Sequence, residues 1–149
     1  MRVSELCTRS VSWCEPQTSV VDAARIMRET HLNNVIVAEQ RNGRRFPLGV
    51  LTDRDIVIQI VAKEVDSKTV VVADIMSREI FTVDEDEPVR EAAERMRFKG
   101  VRRLPVVDKQ GAMIGVIAME DLLRNLAEEL TAIAAVTPRA RIKEARTYD

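Results

Sequence analysis

The sequence predicts an α/β fold in which two copies of a β-α-β-β-α unit pack as a pseudo-two-fold pair. The first observation is a repeat, because residues of the first half recur in the same order in the second: Val3, Ala23, Met27, Val37 and Gly49 return as Val72, Ala92, Met96, Val106 and Gly115. The second is that short apolar runs alternate with amphipathic segments in both copies. The third is length, since 149 residues make about one domain. The two copies must therefore share one core.

Each copy begins with a short helical turn and a β-like segment, followed by an amphipathic helix. The turns and segments are residues 3–7 and 11–14 in one copy, and 72–76 and 80–83 in the other. In the first copy the pattern Ser19-x-x-Asp22 predicts a capped helix start. In the second, Pro88 follows an acidic run, which suits the first turn of a helix.

Two strands and a closing helix complete each copy. The strands are predicted at 35–38 and 47–51, then at 104–107 and 113–117, and the helices at about 53–62 and from 120 into the 130s. The organisation we predict is one repeat at 3–62, a linker at 63–71, a second repeat at 72–136 and a basic tail at 137–149. The tail lacks an apolar stripe, so we expect it to be mobile.

Composition excludes several classes of function. A net charge of −1 gives no general electrostatic case for binding nucleic acid or anionic membranes. No apolar run approaches the ~20 residues of a membrane helix, and no signal peptide is evident, so we expect a cytoplasmic protein. Cys7 and Cys14 are then expected to be reduced. The single histidine, His31, is expected at an exposed helix end, and we expect no metal site.

Three segments carry a family resemblance: Gly49-Val50-Leu51-Thr52-Asp53-Arg54-Asp55, Arg102-Arg103-Leu104-Pro105-Val106-Val107-Asp108 and Gly115-Val116-Ile117-Ala118-Met119-Glu120-Asp121. In this repeat they resemble the cystathionine β-synthase (CBS) domain, and the pair resembles the tandem called a Bateman module. The resemblance covers nearly the whole chain. It implies a regulatory module that binds AMP, ATP, NAD or S-adenosylmethionine in clefts between the repeats.

Thr52 and Asp55 stand where a strand passes into a helix, and two interpretations remain open. Their spacing is that of a capping box, which starts a helix and needs no ligand. The same geometry suits a nucleotide, because the N–H groups at a helix start attract phosphate and a carboxylate one turn later accepts ribose hydroxyls.

The second copy departs from this pattern. Ala118 replaces the threonine while Asp121 remains, which removes a hydrogen bond worth ~1.5–3 kcal/mol to a charged group, unless the change is only a neutral variation of the cap. Arg102 and Arg103 correspond to Asn33 and Asn34 of the first copy. The resemblance implies that a basic residue of this strand reaches the other repeat's cleft, and an arginine fork matches phosphate oxygens.

We therefore expect unequal sites. The better one is formed by Thr52, Asp55, Arg102 and Arg103, and the weaker one by Asp121, Asn33 and Asn34. Trp13, Thr82 and Pro105 are candidates for lining an adenine pocket, although burial of Trp13 in the core is an equal alternative.

The leading hypothesis is a non-catalytic sensor that regulates an unidentified partner. We expect a homodimer that buries the apolar faces of the 53–62 and 120–135 helices. An enzyme is disfavoured, because no nucleophile and base stand together and no catalytic cofactor is implied. Nucleic-acid binding through the basic tail and the 41–45 loop, or a purely structural role, is the alternative.

Overall fold

The computed structural model describes residues 1–148 and contains two three-stranded sheets flanked by helices. The first sheet is formed by β1 (Trp13–Cys14), β2 (Asn34–Arg41) and β3 (Arg44–Thr52), and the second by β4 (Val83–Asp84), β5 (Arg103–Val107) and β6 (Met113–Ala118). In each sheet the first strand runs parallel to the middle strand, which is antiparallel to the third. The predicted α/β class and its doubled unit are confirmed.

Seven α-helices accompany these strands in the described part of the chain: α1 (Val3–Leu6), α2 (Val20–Thr30), α3 (Asp53–Ile56), α4 (Val72–Ile75), α5 (Val89–Lys99), α6 (Met119–Ala134) and α7 (Val136–Tyr148). Helix α3 continues as a π-helical segment, Val57–Val61. Helix α7 occupies the predicted tail. Its side chains are all exposed, and its mobility stays a prediction. Over residues 1–148, none of the helices has both the length and the apolar character for crossing a bilayer.

The amphipathic helices α2 and α5 follow the sequence pattern closely. The Ser19 hydroxyl accepts a hydrogen bond from the Asp22 amide at 3.0 Å, and this bond caps α2. Both helices end in a left-handed residue, His31 at φ 56° and Gly100 at φ 68°. His31 is thus an exposed helix end, as predicted.

The first helical turn of each repeat packs in the core of the other repeat. Val3 of α1 is fully buried among residues of the second repeat that include Val83 and Leu104. Val72 of α4 is fully buried against residues of the first repeat that include Val35 and Leu51. Sequence reasoning assigned each turn to its own copy; the structure shows that the copies exchange them.

Backbone hydrogen bonds extend this exchange along the outer strand of each sheet. Thr8 and Val116 exchange two N–H···O bonds of 2.9 Å, and Val50 and Ser77 do the same. A further cluster, formed by Ile36, Ala38, Met113 and Val116, fills the space between the two sheets. The two repeats therefore form one interlocked core, and a cleft opens beside it.

Candidate functional site

A cleft of about 770 Å³ lies between the two repeats, and equivalent segments of each repeat line it. The first repeat contributes residues from 10–12, 32–36 and 50–52, and the second contributes their counterparts from 79–81, 101–105 and 116–118. Strand ends and helix starts meet there, because β3 passes directly into α3 and β6 into α6. This is the kind of site where free helix N–H groups and side chains converge on a ligand.

Thr52 lines the cleft and caps α3. Its hydroxyl oxygen accepts a hydrogen bond from the Asp55 amide at 3.1 Å. That bond uses a lone pair and leaves the hydroxyl hydrogen free to donate to a bound group. Capping and ligand binding, the two interpretations of this residue, are therefore compatible.

Asp55 lies one turn behind Thr52 and is not among the residues that line the cleft. Its Oδ2 accepts a hydrogen bond from the Thr52 amide at 2.8 Å, so the full capping box is present. In this structure the observed contacts of Asp55 are those of a residue that fixes the position of Thr52.

The second repeat keeps half of this arrangement. Ala118 has no hydroxyl, but Asp121 Oδ2 still accepts a hydrogen bond from the Ala118 amide at 2.8 Å. Unlike Asp55, Asp121 lines the cleft, with its side chain 13% exposed. Arg124, one turn further along α6, lies 3.5 Å from Asp121 Oδ1. Sequence reasoning missed Arg124, whose counterpart in the first repeat is the apolar Ile58.

The arginines and asparagines all line the same cleft. Along the backbone, the Arg102 carbonyl accepts a hydrogen bond from the Met119 amide, and Arg103 pairs with Ala118 across the sheet. Asn33 and Asn34 lie in the corresponding positions of the first repeat, because Asn34 pairs with Thr52 between β2 and β3. Each pair is thus next to its own repeat's helix start. The division into a better and a weaker site stays a prediction.

Of the three candidates for an adenine pocket, Pro105 lines the cleft and the other two do not. Trp13 packs beside the cluster between the sheets, with the Arg45 guanidinium 5.5 Å from its ring centre. The Thr82 carbonyl accepts a hydrogen bond from Arg95 at 2.6 Å. Ser12 and Phe81, which immediately precede Trp13 and Thr82, line the cleft instead. Neighbouring side chains of an extended chain point in opposite directions.

The two walls of the cleft differ in charge. The first repeat contributes neutral hydroxyl and amide side chains, from Ser10, Ser12, Asn33, Asn34 and Thr52. Every charged residue in the lining comes from the second repeat: Glu79, Arg102, Arg103, Glu120, Asp121 and Arg124. Within residues 1–148, no group of three or more His, Cys, Asp or Glu side chains is arranged to hold a metal ion. The first-repeat wall therefore offers neutral hydrogen-bonding groups. The second-repeat wall offers charged groups, of which Arg124 and Asp121 form an ion pair.

A model of one protein family matches both halves of the chain. The CBS domain model covers residues 3–62 and again 72–128. The chain belongs to the CBS domain family. The resemblance carried by the segments that begin at Gly49, Arg102 and Gly115 is thus confirmed, and the interlocked repeats are a CBS pair.

Curated relatives agree with this assignment. An uncharacterized protein of Methanopyrus kandleri is 38% identical over 82% of the chain, and the chain spans 61% of that relative's length. CBS domain-containing protein YhcV of Bacillus subtilis is 30% identical, with coverage of 91% of this chain and 92% of YhcV. Enzymes match as well, but the chain covers only 22% to 24% of their length.

Among solved structures, a CBS domain protein from Pyrobaculum aerophilum complexed with AMP superimposes with a TM-score of 0.73. It is 28% identical, and the alignment covers 89% of this chain and 99% of that protein. The similarity therefore extends over nearly the whole CBS pair, including the segments that form the cleft.

Proposed function

We propose that this CBS pair is a non-catalytic sensor that binds an adenosine-containing ligand in the cleft and thereby regulates a partner protein. The observation that carries the proposal is the composition of the cleft. Hydroxyl and amide groups on one wall suit a ribose and a base, and arginines on the other suit a phosphate. The AMP bound to the similar protein of Pyrobaculum aerophilum supports this choice of ligand class.

Each lining residue has a role in this proposal. Arg102 and Arg103 hold the phosphate, and the Thr52 hydroxyl donates to it or to the ribose. Asp121 accepts from the ribose hydroxyls, while Asp55 acts through Thr52. Asn33 and Asn34 supply the neutral hydrogen bonds of the first wall.

Apolar residues of the cleft are positioned to contact the adenine ring. Pro105 and Ile36, equivalent residues of the two repeats, line the cleft together with Phe81. Phe81 offers an aromatic face on which an adenine can stack. Trp13 and Thr82 remain outside this proposal, because neither lines the cleft.

Assembly is the second part of the proposal. Helix α6 exposes Leu123, Leu126, Leu130 and Ile133, and the segment after α3 exposes Val57, Ile58 and Val61. Two such faces, packed together, would remove this apolar surface from water. We propose that the protein is a cytoplasmic homodimer, which is consistent with the free thiols of Cys7 and Cys14.

Ligand titration tests the sensor proposal directly. Thermal unfolding is followed in AMP, ATP, NAD and S-adenosylmethionine. A ligand at a hundred times its dissociation constant stabilises the folded state by ~2.7 kcal/mol. If none of the four raises the melting temperature, the proposal is wrong.

Paired substitutions then locate the phosphate site. Arg102→Gln with Arg103→Gln removes two charged donors from the cleft, so the affinity for AMP is expected to fall roughly ten- to a hundred-fold. The matched control is Arg28→Gln with Arg97→Gln, which removes two exposed arginines from α2 and α5. Calorimetry distinguishes the two variants, and equal affinities would contradict the assignment of the phosphate.

Helix α7 favours one alternative function. Arg139, Lys143 and Arg146 cluster with Ile142 on one side of this exposed helix, which is an arrangement suited to nucleic acid. If the helix has this role, the chain is retained on immobilised oligonucleotides in a salt-dependent way, and deletion of residues 138–149 abolishes retention. Retention that survives the deletion, or none at all, argues against it.

A further inference from the structure

The charges of the second-repeat wall set a limit on the charge of the ligand. Among residues 1–148, Arg102 and Arg103 form no ion pair with a carboxylate, whereas Arg124 is paired with Asp121. The cleft therefore offers two arginines that are not held in an ion pair. One terminal phosphate carries about −1.5 to −2 at pH 7, because its second pKa is near 6. Two free arginines match one such group.

Glu79 and Glu120 line the same cleft, and among the described residues neither is part of an ion pair. Both are exposed at its rim, Glu79 just before the first-strand region and Glu120 in the first turn of α6. A ligand that extends a chain of phosphates past the two arginines brings like charges toward these carboxylates. Like charges that approach within a few ångströms oppose binding, and the effect is moderated by solvent and salt.

The first-repeat wall offers no relief for additional phosphates. Its lining side chains are hydroxyl, amide or apolar groups, and none carries a charge. The counterparts of Glu79, Arg102 and Arg103 there are Ser10, Asn33 and Asn34. A polyanion therefore finds no cationic side chain in the lining of the first-repeat wall.

We infer that Glu79 and Glu120 act as a charge filter, which makes the cleft selective for adenosine ligands with at most one phosphate and against nucleoside di- and triphosphates. The inference rests on the proposed function and deepens it. The usual role of Glu120, a carboxylate that stabilises the start of α6, accounts for its position in the helix but predicts no effect on the choice of ligand.

The test compares AMP with ATP by calorimetry in metal-free buffer at low and at moderate salt. AMP is expected to bind at least about tenfold more tightly than ATP, and the difference should shrink as salt rises. In Glu79→Gln with Glu120→Gln, ATP is expected to gain about tenfold while AMP changes little. Methylthioadenosine, which has no phosphate, should bind the wild type and the double variant almost equally.

The matched control is Glu128→Gln with Glu144→Gln, which removes two negative charges from exposed positions on α6 and α7 outside the cleft. It should leave the AMP-to-ATP ratio as in the wild type. Equal or tighter binding of ATP by the wild type, or the same ratio in the cleft variant and the control, overturns the charge filter while the sensor proposal stands. Failure of all three ligands to bind overturns the charge filter, and the sensor proposal falls with it only if NAD and S-adenosylmethionine also fail to bind.

Discussion

Gly49 and Gly115 show how the absence of one side chain allows the repeats to interlock. A Cβ at Gly115 would lie 2.7 Å from the Thr8 carbonyl oxygen and 3.1 Å from the Cys7 Sγ. A Cβ at Gly49 would overlap the Ser77 carbonyl oxygen. Both oxygens belong to the backbone bridges between repeats, so they cannot rotate away. The glycines of the Gly-Val motif are therefore required by the chain that crosses beside them.

Gly49→Ala and Gly115→Ala are expected to lower the free energy of unfolding by roughly 1–3 kcal/mol each, because the backbone must move to admit a methyl group. The effect should be larger at Gly49, where the contact is closer. Urea denaturation measures both. An unchanged midpoint in either variant would contradict the close packing described at that bridge.

Cys14 gives a prediction about alkaline pH. Burial raises the pKa of its thiol from 9.0 to about 11, so the folded state keeps the proton longer than the unfolded chain does. The stabilisation is present below pH 9 and is lost as the pH rises from 9 to 11, amounting to roughly 2–3 kcal/mol. Denaturation at a series of pH values should show a steeper decline for the wild type than for Cys14→Ala. The same decline of the free energy of unfolding in both proteins would contradict the raised pKa of Cys14.

At the scale of elements, the pattern of apolar residues predicted the strands and helices whose formation depends on local burial. Strands β2 and β5 appeared in the sequence as continuous apolar runs, and their central residues are buried. The π-helical turn after α3 could not be predicted, because nothing in the local pattern distinguishes the buried Ile60 from the exposed Val57, Ile58 and Val61. Nor could helix α7, because the basic tail has no apolar stripe to indicate a helix; its Pro138 stands in the first turn of α7, where proline is tolerated.

The candidate site was predictable to a similar extent. Motif spacing identified Thr52, Asp121 and the two arginines, all of which line the cleft. It did not identify Glu79, Glu120 or Arg124, because charged residues near helix starts are ordinary on a surface. Only the packing of two repeats against each other shows that these three face a shared cleft.

The apolar face of α6 gives the element-scale prediction. Leu126 and Leu130 are 53% and 60% exposed, and this contact with water is costly unless a second copy covers them. Leu126→Glu with Leu130→Glu should convert a dimer into a monomer of unchanged fold, as measured by light scattering and circular dichroism. Phe98→Glu, at a residue 82% exposed on α5, is the control and should remain dimeric. A monomeric wild type at micromolar concentration removes the dimer from the proposal.

At the scale of the whole molecule, the exchanged turns make the two repeats one cooperative unit. Val72 fills the core of the first repeat and Val3 fills that of the second, so neither core is complete within its own copy. The first helical turn of each repeat is thus part of the other repeat's core. Unfolding of one repeat then exposes apolar surface of both.

We therefore expect a single unfolding transition. Fluorescence of Trp13, which lies in the first repeat, and circular dichroism of the whole chain should give coincident curves in urea. Val72→Ala should shift both together by about 2 kcal/mol, while Val65→Ala, at a residue 39% exposed, should shift neither appreciably. Separate transitions for the two probes would show that the repeats unfold independently.

The exchange also has a consequence for synthesis on the ribosome. Val3 is made before its binding site, which is built from Val83, Leu104 and Ile117. At about 5–20 residues per second, the N-terminal turn must wait for several seconds before that site leaves the ribosome. A nascent chain that stops between the repeats has an unfinished first core and an unattached first turn. Emergence of the second repeat, rather than of the first alone, is then the event that permits folding.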